Sequence, residues 1–87
     1  MPGPDRITDT TDIPMLEELR ERGNLNPIHI AEGINRDRNY VSSRLSFLAD
    51  LGLVENLGHG LYTITEQGEA FLDGDLDAGE LPDPAAD

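Results

Sequence analysis

The sequence predicts a mainly helical α+β domain: three helices, a β-hairpin and a short C-terminal helix. Three observations carry that expectation. Apolar residues recur at helical spacing in three consecutive segments, a Gly58-His59-Gly60 step joins two short β-prone runs, and a length of 87 residues accommodates one domain and not two.

Thr11 or Asp12 can cap the first helix, with Pro14 in its first turn. Ile13, Leu16 and Leu19 lie about one turn apart on one face, and Gly23 ends the helix near residue 22. Pro27 opens a second short helix in which Ile30, Ala31 and Ile34 line one side. Leu25 stands alone between the two, placed for a single strand bridge. After Asn35-Arg36-Asp37, the Asp37 carboxylate can cap a third helix over residues 38–50. At about 100° per residue, Val41, Leu45 and Leu48 fall within about 60° of one another, while Asn39, Ser43, Ser46 and Asp50 point the opposite way. Gly52 supplies the left-handed position that ends this helix. The runs Leu53–Leu57 and Leu61–Ile64 make the hairpin, whose glycines permit the positive φ of a tight turn. Thr65 caps the last helix, which returns Ala70 or Phe71 to the core.

Both ends read as tails, with two prolines and a glycine in residues 1–8 and an acidic, Pro/Gly-punctuated stretch from 74 to 87. The expected layout is a flexible tail over 1–8, a folded domain over 9–73 and a disordered acidic tail over 74–87.

The chain carries 18 acidic and 6 basic residues, a net charge of −12, and every basic residue is an arginine. Such a balance argues at first against a nucleic-acid partner. Its distribution weakens the objection: residues 66–87 hold eight acids and no arginine, whereas residues 23–65 hold four acids and three arginines. Those three, Arg36, Arg38 and Arg44, are close together, so any anion-binding surface lies there. Acid excess without lysine fits a protein built for concentrated salt.

Absence of cysteine excludes a disulfide scaffold, a thiol nucleophile and a cysteine-held zinc. No apolar run approaches a membrane span and the start does not read as a signal peptide, so a cytoplasmic protein without membrane contact is expected. Asp73, Asp75 and Asp77 match the opening of a calcium loop, but Ala78 and Pro84 stand where its glycine and glutamate belong. No metal, cofactor or catalytic grouping is expected.

Two short helices and a tight turn before a third helix with a small, polar outer face, followed by a hairpin, make the winged helix-turn-helix arrangement. The stretch Val41-Ser42-Ser43-Arg44-Leu45 through Leu48 to Gly52-Leu53-Val54 resembles the VSxxLxxLxxxGLV signature of winged-helix transcriptional regulators. Tyr62-Thr63-Ile64-Thr65-Glu66-Gln67-Gly68 resembles the strand-to-helix step that follows the wing in such proteins. Together with the acidic, lysine-free composition, the chain is most similar to small haloarchaeal winged helix-turn-helix regulators of the halobacterial phage repressor type. Many relatives carry a basic residue where this chain has Ser43; here the arginine comes one place later, at Arg44.

The resemblance implies a sequence-specific regulator of double-stranded DNA, a repressor that puts helix 38–50 in the major groove and works as a homodimer. Helix one and Phe47 are the candidate dimer surfaces. Asn39 and Ser43 are the candidate base readers; Arg36 and Arg38 would reach phosphate or a guanine edge. Tyr40 and Ser42 could hold backbone oxygens, Arg44 a phosphate, and His59 the flanking groove from the wing tip. The alternative is a winged-helix module that binds protein through Phe47, Tyr62 and the acidic tail.

The acid excess carries an expected outcome. The thermal unfolding midpoint should rise from dilute buffer to molar KCl as carboxylate repulsion is screened, and a flat or falling midpoint in scanning calorimetry would contradict it.

Overall fold

The computed structural model describes residues 7, 8 and 10–76. Helix α1 spans Asp12–Arg22, α2 Pro27–Ile34 and α3 Arg38–Asp50; strands β1 (Val54–Gly58) and β2 (Leu61–Ile64) form an antiparallel hairpin, and α4 spans Glu66–Leu72. The mainly helical α+β arrangement expected of the sequence is therefore present. No helix among the described residues is long and apolar enough to cross a membrane.

One apolar core joins these elements. Met15, Leu16 and Leu19 from α1, Ile30 and Ala31 from α2, and Val41, Leu45 and Leu48 from α3 are buried together with Leu25, Leu51, Leu53 and Val54. Fully burying a side chain of this size contributes about 1.5–3 kcal/mol, so the α3 stripe alone is a large part of what holds a small domain. On α1 the buried residues include Met15, whereas Ile13, expected on the apolar face, is half-buried at its edge.

Local chemistry sets the boundaries. Asn26 caps α2 by accepting from the His29 amide at 2.9 Å, with Pro27 in the first turn, and Asp37 caps α3 by accepting from the Tyr40 amide at 3.1 Å. Helix α3 ends in a Schellman motif: Gly52, at φ +83°, donates to the Ala49 carbonyl and Leu53 donates to that of Leu48. Leu53 is thereby part of the helix terminator, and β1 begins at Val54, one residue later than the apolar run suggests.

The hairpin turns at His59 and Gly60, both with positive φ, as the right-handed twist of two-residue hairpins favours. Val54, Glu55 and Asn56 face Ile64, Thr63 and Tyr62, and the register then slips so that Gly58 faces Leu61, leaving Leu57 in a bulge. The far edge of β2 is also paired, by two hydrogen bonds between Leu25 and Tyr62 of 3.1 and 2.9 Å, so the bridge anticipated at Leu25 is formed.

Two boundaries differ from expectation. Ile7 packs half-buried on the core and Thr8 is tied to α1, so the fold begins before residue 9. Past α4, Asp75 donates to the Ala70 carbonyl at 2.8 Å and Leu76 packs on the core, carrying it beyond residue 73. The rest of both expected tails, and the Asp77, Ala78 and Pro84 positions of the calcium comparison, lie outside the described residues.

Helix α4 docks at a glycine. Thr65 accepts from the Gly68 amide at 3.1 Å while its hydroxyl donates to the Gly52 carbonyl at 2.6 Å, clamping the helix start to the end of α3. A Cβ at the buried Gly68 would overlap the Leu53 carbonyl oxygen and sit 2.6 Å from Ile64 Cγ1. Gly68→Ala should therefore destabilise the protein by about 1–3 kcal/mol in urea unfolding, despite alanine's higher helix propensity; no loss of stability would show that α4 does not pack as described.

Candidate nucleic-acid interface

Helices α2 and α3 are joined by a turn that only a few residue types can make. Asn35 adopts the left-handed conformation at φ 58°, tolerable for asparagine, and the Arg36 amide returns to the Ala31 carbonyl at 3.0 Å. Asp37 then starts α3. The consequence is a continuous exposed run, Asn35 to Tyr40, at the head of a helix whose other side is locked into the core.

Each residue proposed from sequence can be placed on this frame. Arg36, Arg38, Asn39, Tyr40 and Ser43 are exposed, Ser42 is half-buried at the rim, and Ser46 extends the same polar strip. Tyr40 is 45% exposed, so part of the residue is open to solvent-side partners. The strip offers guanidinium forks, a carboxamide and hydroxyls, the groups that pair with phosphates and base edges.

The arginines separate into two sets. Arg20 pairs with Asp73 at 2.7 Å and Arg22 with Glu18 at 2.8 Å, both at the surface. Arg36 and Arg38 make no ion pair with a described residue; the Arg36 guanidinium donates only to the Thr10 carbonyl, at 3.3 Å. Among the described residues, the two arginines that keep their charge available are those at the helix-turn-helix.

Arg44 stands apart from the other candidates. The sequence places it beside the apolar face and suggests a phosphate contact, but its side chain is only 8% exposed and grips Asp12, itself 0% exposed. Nε donates to Oδ1 at 3.0 Å and Nη2 to Oδ2 at 2.5 Å, while the guanidinium carbon lies 4.3 Å from the centre of the Phe47 ring. The hydrogen bonds that Arg44 donates to Asp12 raise its pKa above that of a free arginine, against the opposing effect of burial. Geometry explains the difference: at about 100° per residue, a shift from position 43 to 44 turns a side chain from opposite the core to its flank. Arg44 is a core residue whose guanidinium is turned to Asp12 and not, as the sequence suggests, to a phosphate.

His59 is exposed at the wing tip, with Leu57 (45% exposed) and Leu61 (37%) nearby and no arginine on either strand. The wing thus carries no arginine, with Glu55 on its first strand and His59 at its tip.

A model of the winged helix-turn-helix phage repressor matches residues 5–83. The chain belongs to this family. Within it, the chain is similar to the PhiH1 repressor-like protein from Haloarcula marismortui, whose crystal structure superposes with a TM-score of 0.68 at 42% identity, covering 77% of this chain and 78% of that one. No curated protein matches.

In this member of the family, the sequence singles out the exposed strip but misses what lies beneath it. Asp12 reads as a cap; in fact the Asp12 amide donates to Thr8 Oγ1 at 3.2 Å and its carboxylate accepts from the Thr8 amide at 3.0 Å, leaving its other lone pairs for Arg44. The available signal was angular: Arg44 lies on the flank of the apolar stripe, where an arginine either extends to solvent or turns in to a buried carboxylate. Unfolding measurements should separate the two sets of arginines. Arg44→Ala strands the Asp12 charge and should cost about 3–5 kcal/mol, whereas Arg38→Ala should change stability by no more than about 0.5 kcal/mol; equal effects would contradict the burial assignment.

Proposed function

We propose that the protein is a sequence-specific repressor that inserts α3 into the DNA major groove and occludes promoters as a homodimer. The observation that carries this reading is the pairing pattern of the arginines: every described arginine except Arg36 and Arg38 is ion-paired, and these two flank the start of the one helix with a small, polar outer face. Asn39 and Ser43 read base edges, Arg36 and Arg38 hold phosphates, Tyr40 and Ser42 contact the backbone, and His59 touches the flanking groove. A dimer supplies the two half-sites that one module is too small to provide alone.

Membership of a phage repressor family supports the regulatory part of the reading. The net charge of −12 opposes it only at long range, because at molar salt the screening length is about 3 Å and recognition rests on close contacts. Protein binding through Phe47 and Tyr62 is less favoured. Phe47 is half-buried beneath the Arg44 guanidinium, and Tyr62 is half-buried, bonded through its backbone to Leu25 and reached at its hydroxyl by Asn56 at 3.4 Å.

Fluorescence anisotropy in molar KCl, using a duplex enriched by the protein from a randomised pool, tests the assignment. Asn39→Ala should cost about 1–3 kcal/mol and relax preference at one base position. Arg38→Ala should weaken binding evenly across sequences and lower the slope of log K against log salt by about 1. Enrichment of no duplex at all would overturn the reading.

A further inference from the structure

The Asp12–Arg44 pair is the most heavily connected polar group among the described residues, and DNA contact makes no direct use of it. It joins the first turn of α1 to the middle of α3, adjacent to Ser43 and on the same helix as Asn39. Both oxygens of Asp12 are engaged by the Arg44 fork, and Thr8 holds the same carboxylate from the other side. A second tie lies just before α3, where the Arg36 guanidinium meets the Thr10 carbonyl. Thr10 and Asp12, the latter held by Thr8, therefore grip the recognition helix just before its head and at its centre.

Stability alone does not account for such a pair, since apolar replacements of buried ion pairs are commonly neutral or stabilising. What a bidentate pair adds is direction. The Val41, Leu45 and Leu48 contacts are apolar and tolerate small rolls of the helix, whereas two parallel N–H···O bonds fix rotation and slide together. A roll of about 20° moves a side-chain tip at about 6 Å from the helix axis by about 2 Å, more than a hydrogen bond to a base edge can absorb. Burial also shields the pair from salt far better than the exposed pairs are shielded.

We infer that Asp12 and Arg44 are positioning residues for sequence discrimination: their ion pair sets the roll of α3, and so the aim of Asn39 and Ser43, without touching DNA. The inference rests on the DNA-binding reading above. A phosphate contact from Arg38, on a long flexible side chain, is insensitive to that roll, so loss of the pair separates specific from nonspecific binding.

The test compares affinity for the duplex that wild-type protein enriches from a randomised pool with affinity for its scrambled counterpart. Arg44→Lys keeps the charge but loses the fork, and the Asp12→Leu/Arg44→Met double variant replaces the pair by apolar contacts so that the domain still folds. Both should unfold cooperatively and bind the scrambled duplex within about twofold of wild type, while the ratio of the two affinities falls by on the order of tenfold. A purely structural role would lower both affinities in step with the folded fraction and leave the ratio unchanged; that result, or a wild-type ratio in either folded variant, overturns the inference. If wild-type protein itself shows no preference between duplexes, the DNA-reading assignment falls first and this inference falls with it.

Discussion

Helix α3 has to be two things at once, and the rest of the domain follows from that constraint. Val41, Leu45 and Leu48 are fully buried, while Asn39, Ser43 and Ser46 on the same thirteen-residue helix face solvent. A helix so divided holds its outer face steady only if its inner face is pinned on several sides. Helix α2 packs against it, Ile30 and Ala31 share one core with Met15, Leu16 and Leu19 of α1, and the Schellman turn passes its end directly into β1. Thr65 then ties α4 back to Gly52, so the last helix braces the same terminus.

Charge follows the same division of labour. The acids dominate the sequence, yet the described arginines are not scattered to balance them. Arg20 staples α1 to the residue after α4, Arg22 lies along α1, and Arg44 is drawn into the core, which leaves Arg36 and Arg38 at the turn. The exposed pairs are worth little each, about 0–1 kcal/mol and less in salt. Their effect on the charge map is larger, because each neutralises an arginine that would otherwise compete as an anion site.

Most of the architecture was legible in the residues because its signals are local. Helical spacing, Pro27 at a helix start, Asp37 and Thr65 as caps, Gly52 as a terminator and the Gly58-His59-Gly60 step each act within a few positions of themselves, and each acts in the structure as its chemistry suggests. The misreadings were at places where distant residues compete for the same group. Leu53 looked like strand but serves the helix terminator, and Thr8 looked like tail but accepts from the first amide of α1. The exposed strip of the candidate interface was equally readable, since one helical wheel defines both its apolar and its polar sides.

Arg44 shows where that reading stops. Sequence alone could say that an arginine lies on the flank of the apolar face of α3, and that Asp12 lies in the first turn of α1. Whether such an arginine reaches outward to solvent or inward to a carboxylate depends on which element packs over that flank, a matter of tertiary geometry between residues 32 positions apart. The residues thus determined the elements, their order and the face offered to a partner, through periodicity and capping. The meeting of Asp12 in the first turn of α1 with Arg44 in α3 decided which of the described arginines remain outside, because only a buried, bidentate partner offsets the cost of taking a guanidinium out of water.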